Sequence, residues 1–145
     1  MRFLVDTNVL LYAANRDAPE HDVAERFLAD HFREGTPWCL SWAILYEFLR
    51  VATHRSVFPR PLTASQAQGF VADLVGQEQV TILVPTSRHL QLLAITLEEL
   101  SHPAGNLMHD VHTAVLAREH GVGEIVTADT DFLQFRFLKV TNPFR

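Results

Sequence analysis

Two short apolar runs near opposite ends of the chain each stop on an aspartate: Phe3-Leu4-Val5-Asp6-Thr7-Asn8 and Glu124-Ile125-Val126-Thr127-Ala128-Asp129-Thr130-Asp131. Apolar, β-branched runs of this length, closed by turn residues, are the pattern of strands buried in a parallel sheet. Ligands of such sheets bind just beyond the carboxyl ends of the strands. Both aspartates are therefore expected to face one crevice. Two carboxylates brought there from such distant parts of the chain predict a negatively charged site suited to a metal.

The remaining pattern alternates in the way an α/β fold requires. Residues 9–14 read as a short helix capped by Thr7 or Asn8. A longer helix opens at Pro19 and Glu20, carries Ala24, Phe27, Leu28, His31 and Phe32 at helical spacing, and ends at Gly35. A strand follows at residues 37–40. The helix over 41–54 is apolar on nearly every side and is expected to be buried. Phe58-Pro59-Arg60-Pro61-Leu62 cannot continue it, and helix restarts at Thr63 or Ser65 through Val75. Residues 80–84 read as a strand and 88–100 as a helix. After the break at Pro103-Ala104-Gly105-Asn106, a helix over 107–120 stops at Gly121. The last two strands are placed at 124–127 and 137–141. This alternation predicts a three-layer α/β/α sandwich with a mainly parallel central sheet, one domain over residues 1–145.

With 48% hydrophobic residues the chain can build a substantial core. Asp6 interrupts the first apolar run, and no later one approaches the roughly 20 residues that span a bilayer, so a soluble, cytoplasmic protein is expected. The single cysteine, Cys39, lies between Trp38 and Leu40 and reads as a core residue. The net charge of −5 runs against a protein that holds a polyanion by bulk electrostatics. The objection weakens if four carboxylates belong to a metal site, since −1 is then left for everything else. Eleven of the twelve basic residues are arginine, and Arg50, His54, Arg55 and Arg60 cluster in sequence. Guanidinium forks suit bidentate contact with phosphate, which makes Arg50 and Arg55 candidate phosphate-binding residues, although a solvated helix end explains the cluster equally well.

Two further acids fall inside helices. Glu47 shares a helical face with Ala43, Ile44, Arg50 and Val51, and Asp110 lies with Leu107, Thr113, Ala114 and Ala117, while His112 and Glu119 take the opposite side. Carboxylates on packing faces need a partner or a cation. Each has a plain structural alternative. Asp6 could cap the first helix, Asp129 could make an Asx turn, Asp131 could cap the turn before Phe132, Glu47 could pair with Arg50, and Asp110 could cap a helix that starts later. One converging cluster accounts for all of them together. Aspartate and glutamate without paired cysteines or histidines favour Mg²⁺ or Mn²⁺ over zinc, and such a site suits phosphodiester hydrolysis. His109 and His112 are spaced as a zinc pair but lack further ligands.

Taken in order, Asp6-Thr7-Asn8-Val9-Leu10, the helical Glu47 followed by Arg50, His109-Asp110 opening a helix that ends at Glu119-His120-Gly121, and Thr127-Ala128-Asp129-Thr130-Asp131-Phe132 resemble a PIN-domain ribonuclease. More narrowly, the chain is similar to the VapC-type toxins of bacterial type II toxin–antitoxin pairs. The resemblance runs from Met1 to about Phe137. It implies an Mg²⁺- or Mn²⁺-dependent endoribonuclease acting on structured RNA such as tRNA or rRNA, commonly dimeric, and silenced by a small antitoxin whose tail covers the active site. By motif, Asp6, Glu47, Asp110 and Asp129 would be the catalytic acids. Asp6, Asp110 and Asp129 would hold the metal directly or through water. Asn8 would be a polar helper, Thr127 a hydroxyl that orients Asp129, and Asp131 either an extra ligand or a water contact. A non-toxin PIN nuclease of RNA processing and a non-catalytic PIN-like binding module are the alternatives. A dehalogenase-like phosphatase needs a second aspartate where Asn8 stands. A receiver domain would want an acidic pair and a late-strand lysine that are not present, and no glycine-rich phosphate loop occurs.

Overall fold

The computed structural model describes residues 2–145. Strands β1 (Phe3–Val5), β2 (Trp38–Leu40), β3 (Val80–Ile82), β4 (Glu124–Val126) and β5 (Lys139–Thr141) form a sheet in the order β3-β2-β1-β4-β5. Every neighbouring pair is parallel, with Leu4 opposite Cys39 on one side and Ile125 on the other. Among the described residues the helices between strands are α1 (Thr7–Ala14), α2 (His21–Glu34), α3 (Trp42–Ala52), α4 (Ala64–Val75), α5 (His89–Glu98) and α6 (Leu107–Glu119). α1 packs on α2 and α3, α3 on α4, and α5 on α6. Parallel crossovers are right-handed, so connections running in opposite directions along the sheet cover opposite faces. α1 to α4 therefore form one outer layer and α5 with α6 the other, which is the expected three-layer sandwich. None of these helices is long and apolar enough to cross a membrane.

The central strands are apolar because they are covered on both sides: every residue of β1 and β2 is buried, including Cys39, which packs in the core as expected. The outer strands are only partly covered and are shorter than the sequence suggests. β3 stops at Ile82 and β5 begins at Lys139, so that all five strands are three residues long.

Helix ends follow side-chain chemistry. α1 is capped by Asp6, not by Thr7 or Asn8: its Oδ1 accepts the Thr7 amide at 2.8 Å. Ser41 caps α3, and Thr63 caps α4 with Gln66 in a reciprocal capping box. Gly35, at φ 69°, ends α2 in the left-handed region, where glycine carries no Cβ penalty.

α3 corrects an expectation. Ile44, Leu45, Phe48 and Ala52 enter the core, but Trp42 and Tyr46 are 48% and 67% exposed. An all-round apolar helix was read as a buried one, yet α1 and α4 cover only one side of it.

The chain leaves β1 toward β2 and returns from β3 to β4 on the other flank of β1. The connections after β1 and β4 therefore diverge to opposite faces, and the crevice of such a fold opens beyond those two carboxyl ends. Asp6 follows β1 directly, and Thr127 follows β4.

Candidate active site

The Asp6 carboxylate is built into the gap between the two strand ends. Its backbone N–H donates to the Val126 carbonyl at 3.0 Å, extending the ladder by one residue. Its Oδ2 accepts from the Thr127 hydroxyl at 2.7 Å and the Asn8 amide at 3.0 Å. Asn8 closes the knot, donating also to the Thr127 hydroxyl at 2.9 Å and accepting the Ala128 N–H at 3.0 Å. Burial raises the Asp6 carboxyl above its ordinary range and the negative Asp129 adds to this, against the opposing hydrogen bonds from Thr127, Thr7 and Asn8.

Thr127, fully buried, fastens this arrangement to Asp129. It does so through the backbone: its hydroxyl accepts the Asp129 N–H at 3.0 Å, while its own proton goes to Asp6. The hydroxyl thus reaches Asp129 at its main chain and leaves the carboxylate free of it. That carboxylate instead accepts the Asp131 N–H at 2.8 Å and opens a short 3-10 helix, Thr130–Gln134. The turn brings Asp131 back to the cleft. Capping by Asp6 and the Asx-type turn at Asp129 are thus both real, and both orient acids toward the same place.

Asp110 stands in the first turn of α6. Among the described residues, carboxylate oxygens of Asp110, Asp129 and Asp131 lie within 4.8 Å of one another. The Asp110 carboxyl is pushed up to about 7 by burial first, then by negative Asp129, Asp6 and Asp131. Three carboxylates with free oxygens and no thiolate or imidazole among them are a donor set for a hard divalent cation, and their mutual repulsion is the charge such an ion would offset. Asp6 adjoins this trio but its oxygens are already engaged in hydrogen bonds. His109 and His112 form no such group.

Asp6, Asp110, Asp129 and Asp131 line an open cleft of about 970 Å³, with Glu47 and Arg50 on its far wall. Glu47 does not sit on a packing face: its side chain is 46% exposed and holds Arg50 in a bidentate pair at 2.5 and 3.1 Å. Arg50 lowers the Glu47 carboxyl chiefly through that hydrogen bond, and His109 contributes from across the cleft. The periodicity placed Glu47 correctly on α3 but mistook the cleft-facing side for the core. Arg55 is exposed in the turn beyond α3 and does not line the cleft. Tyr46 and His109 line it without having been singled out there, though each is the neighbour of an acid that was.

Glu119 is a second miss. It is buried at the end of α6 and accepts from the Thr86 amide at 2.7 Å, the Thr86 hydroxyl at 2.6 Å, and the His89 ring. The side of α6 read as outward is covered by α5, where the His89 and His112 rings lie 5.8 Å apart.

The stored repulsion has a measurable sign. Between pH 3.8 and about 7 the folded Asp110 keeps a proton that the unfolded chain has released. Stability from this group is therefore complete below that window and lost as pH rises through it. Asp110→Asn removes the loss. At about pH 8 in chelator the variant is expected to be more stable by about 1–2 kcal/mol, after discounting for solvent in the cleft, and to melt roughly 2–8 °C higher. Thermal melts at about pH 5 should show a smaller gain. Equal melting points at the higher pH would refute the repulsion.

The fold and this acid cluster define a class. The PIN domain profile matches residues 3–138, and the chain belongs to that family. Ribonuclease VapC37 of Mycobacterium tuberculosis is 36% identical over 140 residues, covering 97% of this chain and 96% of its own. The fold is shared with VapBC2 from Rickettsia felis, solved on a promoter DNA fragment, at a TM-score of 0.70 and 18% identity over 98% of both chains. It is shared also with VapC20 of M. tuberculosis, a sarcin-ricin loop cleaving toxin, at 0.69 and 18% identity over 97% of this chain and 99% of that one.

Proposed function

We propose that this chain is an endoribonuclease dependent on Mg²⁺ or Mn²⁺, and the toxin of a toxin–antitoxin pair that cuts structured RNA such as tRNA or rRNA. The observation that carries the reading is the convergence of Asp110, Asp129 and Asp131, beside Asp6, at the carboxyl edge of the parallel sheet. Relatives named ribonuclease VapC support the reaction class, and structural neighbours solved as VapBC complexes support a cognate antitoxin. A homodimer in the cytoplasm, each copy a single PIN-like domain, completes the proposal.

Asp110, Asp129 and Asp131 would hold the cation, and Asp6, fixed by Thr127 and Asn8, would contribute its charge directly or through water. A divalent ion in this position makes water more acidic and neutralises the phosphate under attack. Glu47 would position the attacking water from the opposite wall, provided that Arg50 releases it to contact the RNA phosphate. Asn8 keeps Asp6 aimed and Thr127 keeps the two strand ends together.

The test is cleavage of total RNA by the purified protein in Mg²⁺, in Mn²⁺ and in excess chelator, with RNA ends sequenced beside those from Asp6→Asn. Discrete new ends that need the metal and vanish in the variant are expected. Equal cleavage in chelator would overturn the mechanism.

A further inference from the structure

The cleft poses an electrostatic problem for a nuclease. It presents Asp6, Glu47, Asp110, Asp129 and Asp131 against Arg50, in a chain of net charge −5. Even with a divalent ion offsetting part of this charge, long-range attraction for a polyanion is weak, which favours charge-independent contacts for part of the affinity. The outward face of α3 offers them. Trp42 and Tyr46 stand one turn apart with ring centroids 6.4 Å from each other, both well exposed, and Tyr46 lines the cleft itself. Arg50 lies one further turn along the same helix.

We infer that Tyr46, supported by Trp42, is a stacking platform for unpaired nucleobases of the RNA strand that enters the cleft. The inference rests on the nuclease reading above and adds to it the residues that select unpaired nucleotides beside the scissile bond. Stacking on an aromatic ring is tolerant of base identity and does not depend on net charge. Bases within a duplex are already stacked and do not offer their faces. With a base on Tyr46, the adjoining backbone runs toward Arg50, which gives the phosphate its cation. The rings give way at once to the Glu47–Arg50 pair and the acidic cleft, an apolar face followed by a cation as the base and phosphate of a nucleotide require.

The experiment measures binding of a labelled oligoribonucleotide without self-complementarity, and of the same strand annealed to its complement, to the full chain. Ca²⁺ replaces the catalytic ion, since it shares the preference for oxygen ligands. Tyr46→Ala is expected to weaken single-strand binding about five- to a hundredfold. Tyr46→Phe, which keeps the ring, should stay within about twofold of wild type. The salt dependence should be unchanged by Tyr46→Ala, whereas Arg50→Ala reduces its slope by about one. Of the two tryptophans Trp38 is buried, so quenching of tryptophan emission by the unlabelled strand should come from Trp42.

Wild-type affinity in Tyr46→Ala, or the same loss on the duplex, overturns the platform. So does an altered sedimentation coefficient with RNA affinity intact, which would give this face to a protein partner or second copy. Cleavage in Mg²⁺ separates the two readings. Metal-dependent cutting with Tyr46→Ala binding unchanged sinks the platform alone, and Tyr46-dependent binding by a chain that never cuts leaves the platform and sinks the nuclease.

Discussion

Asp129→Asn is expected to lower metal-dependent RNA cleavage by more than about a hundredfold while the chain stays folded. Even partners that only orient metal ligands cost 10- to 100-fold when removed, and Asp129 would itself be a ligand. Two features make the substitution clean. Asparagine keeps the side-chain oxygen that accepts the Asp131 N–H, so the 3-10 turn survives. It also removes one of the charges that raise the Asp110 carboxyl, so the metal-free variant should melt no lower than wild type. Loss of cleavage with a retained melting point separates chemistry from folding. Cleavage within a fewfold of wild type would remove Asp129 from the metal site.

Glu119→Ala is expected to have the largest effect on stability, about 2–4 kcal/mol, because it strands the Thr86 amide and hydroxyl and the His89 ring in a buried setting. The melting point should fall by roughly 4–16 °C. Burial pushes the Glu119 carboxyl up, but hydrogen bonds from Thr86 and His89 outweigh it and hold the group below its ordinary value of 4.5. Its contribution is therefore present above that pH and lost as pH falls through the lowered value. Urea melts of wild type and variant should converge in acid. Glu119→Gln, which keeps an acceptor, should lose less. No change in Glu119→Ala would mean that the carboxylate is not the tie between α5 and the end of α6.

These residues also mark what a sequence can disclose. Asp6 and Asp129 were placed because a parallel strand announces its own carboxyl end: a β-branched run stops and a turn residue follows. The layers followed from the same alternation. Glu47 was located on the right helix for a mistaken reason, since an apolar period shows that a face is uniform and not which neighbour covers it. The helix over 41–54 is expected to be buried on that ground, yet its Trp42 and Tyr46 are exposed. Glu119 failed the other way. α6 has packing partners on two sides, so a buried carboxylate lay where period alone expected water. Asp131 could not be ranked because its approach depends on a hydrogen bond from its own backbone to Asp129, a feature of turn geometry with no period to read.

Asp6 opens a helix, joins two strand ends and faces the cleft with one carboxyl group. Scaffold and the proposed chemistry would therefore share atoms but draw on different properties of them: the helix start needs an oxygen, the proposed reaction a negative charge. A neutral amide satisfies the first and not the second. It also sets its own N–H donors against those of Thr127 and Asn8, so losing the charge loosens the junction of the two strand ends as well.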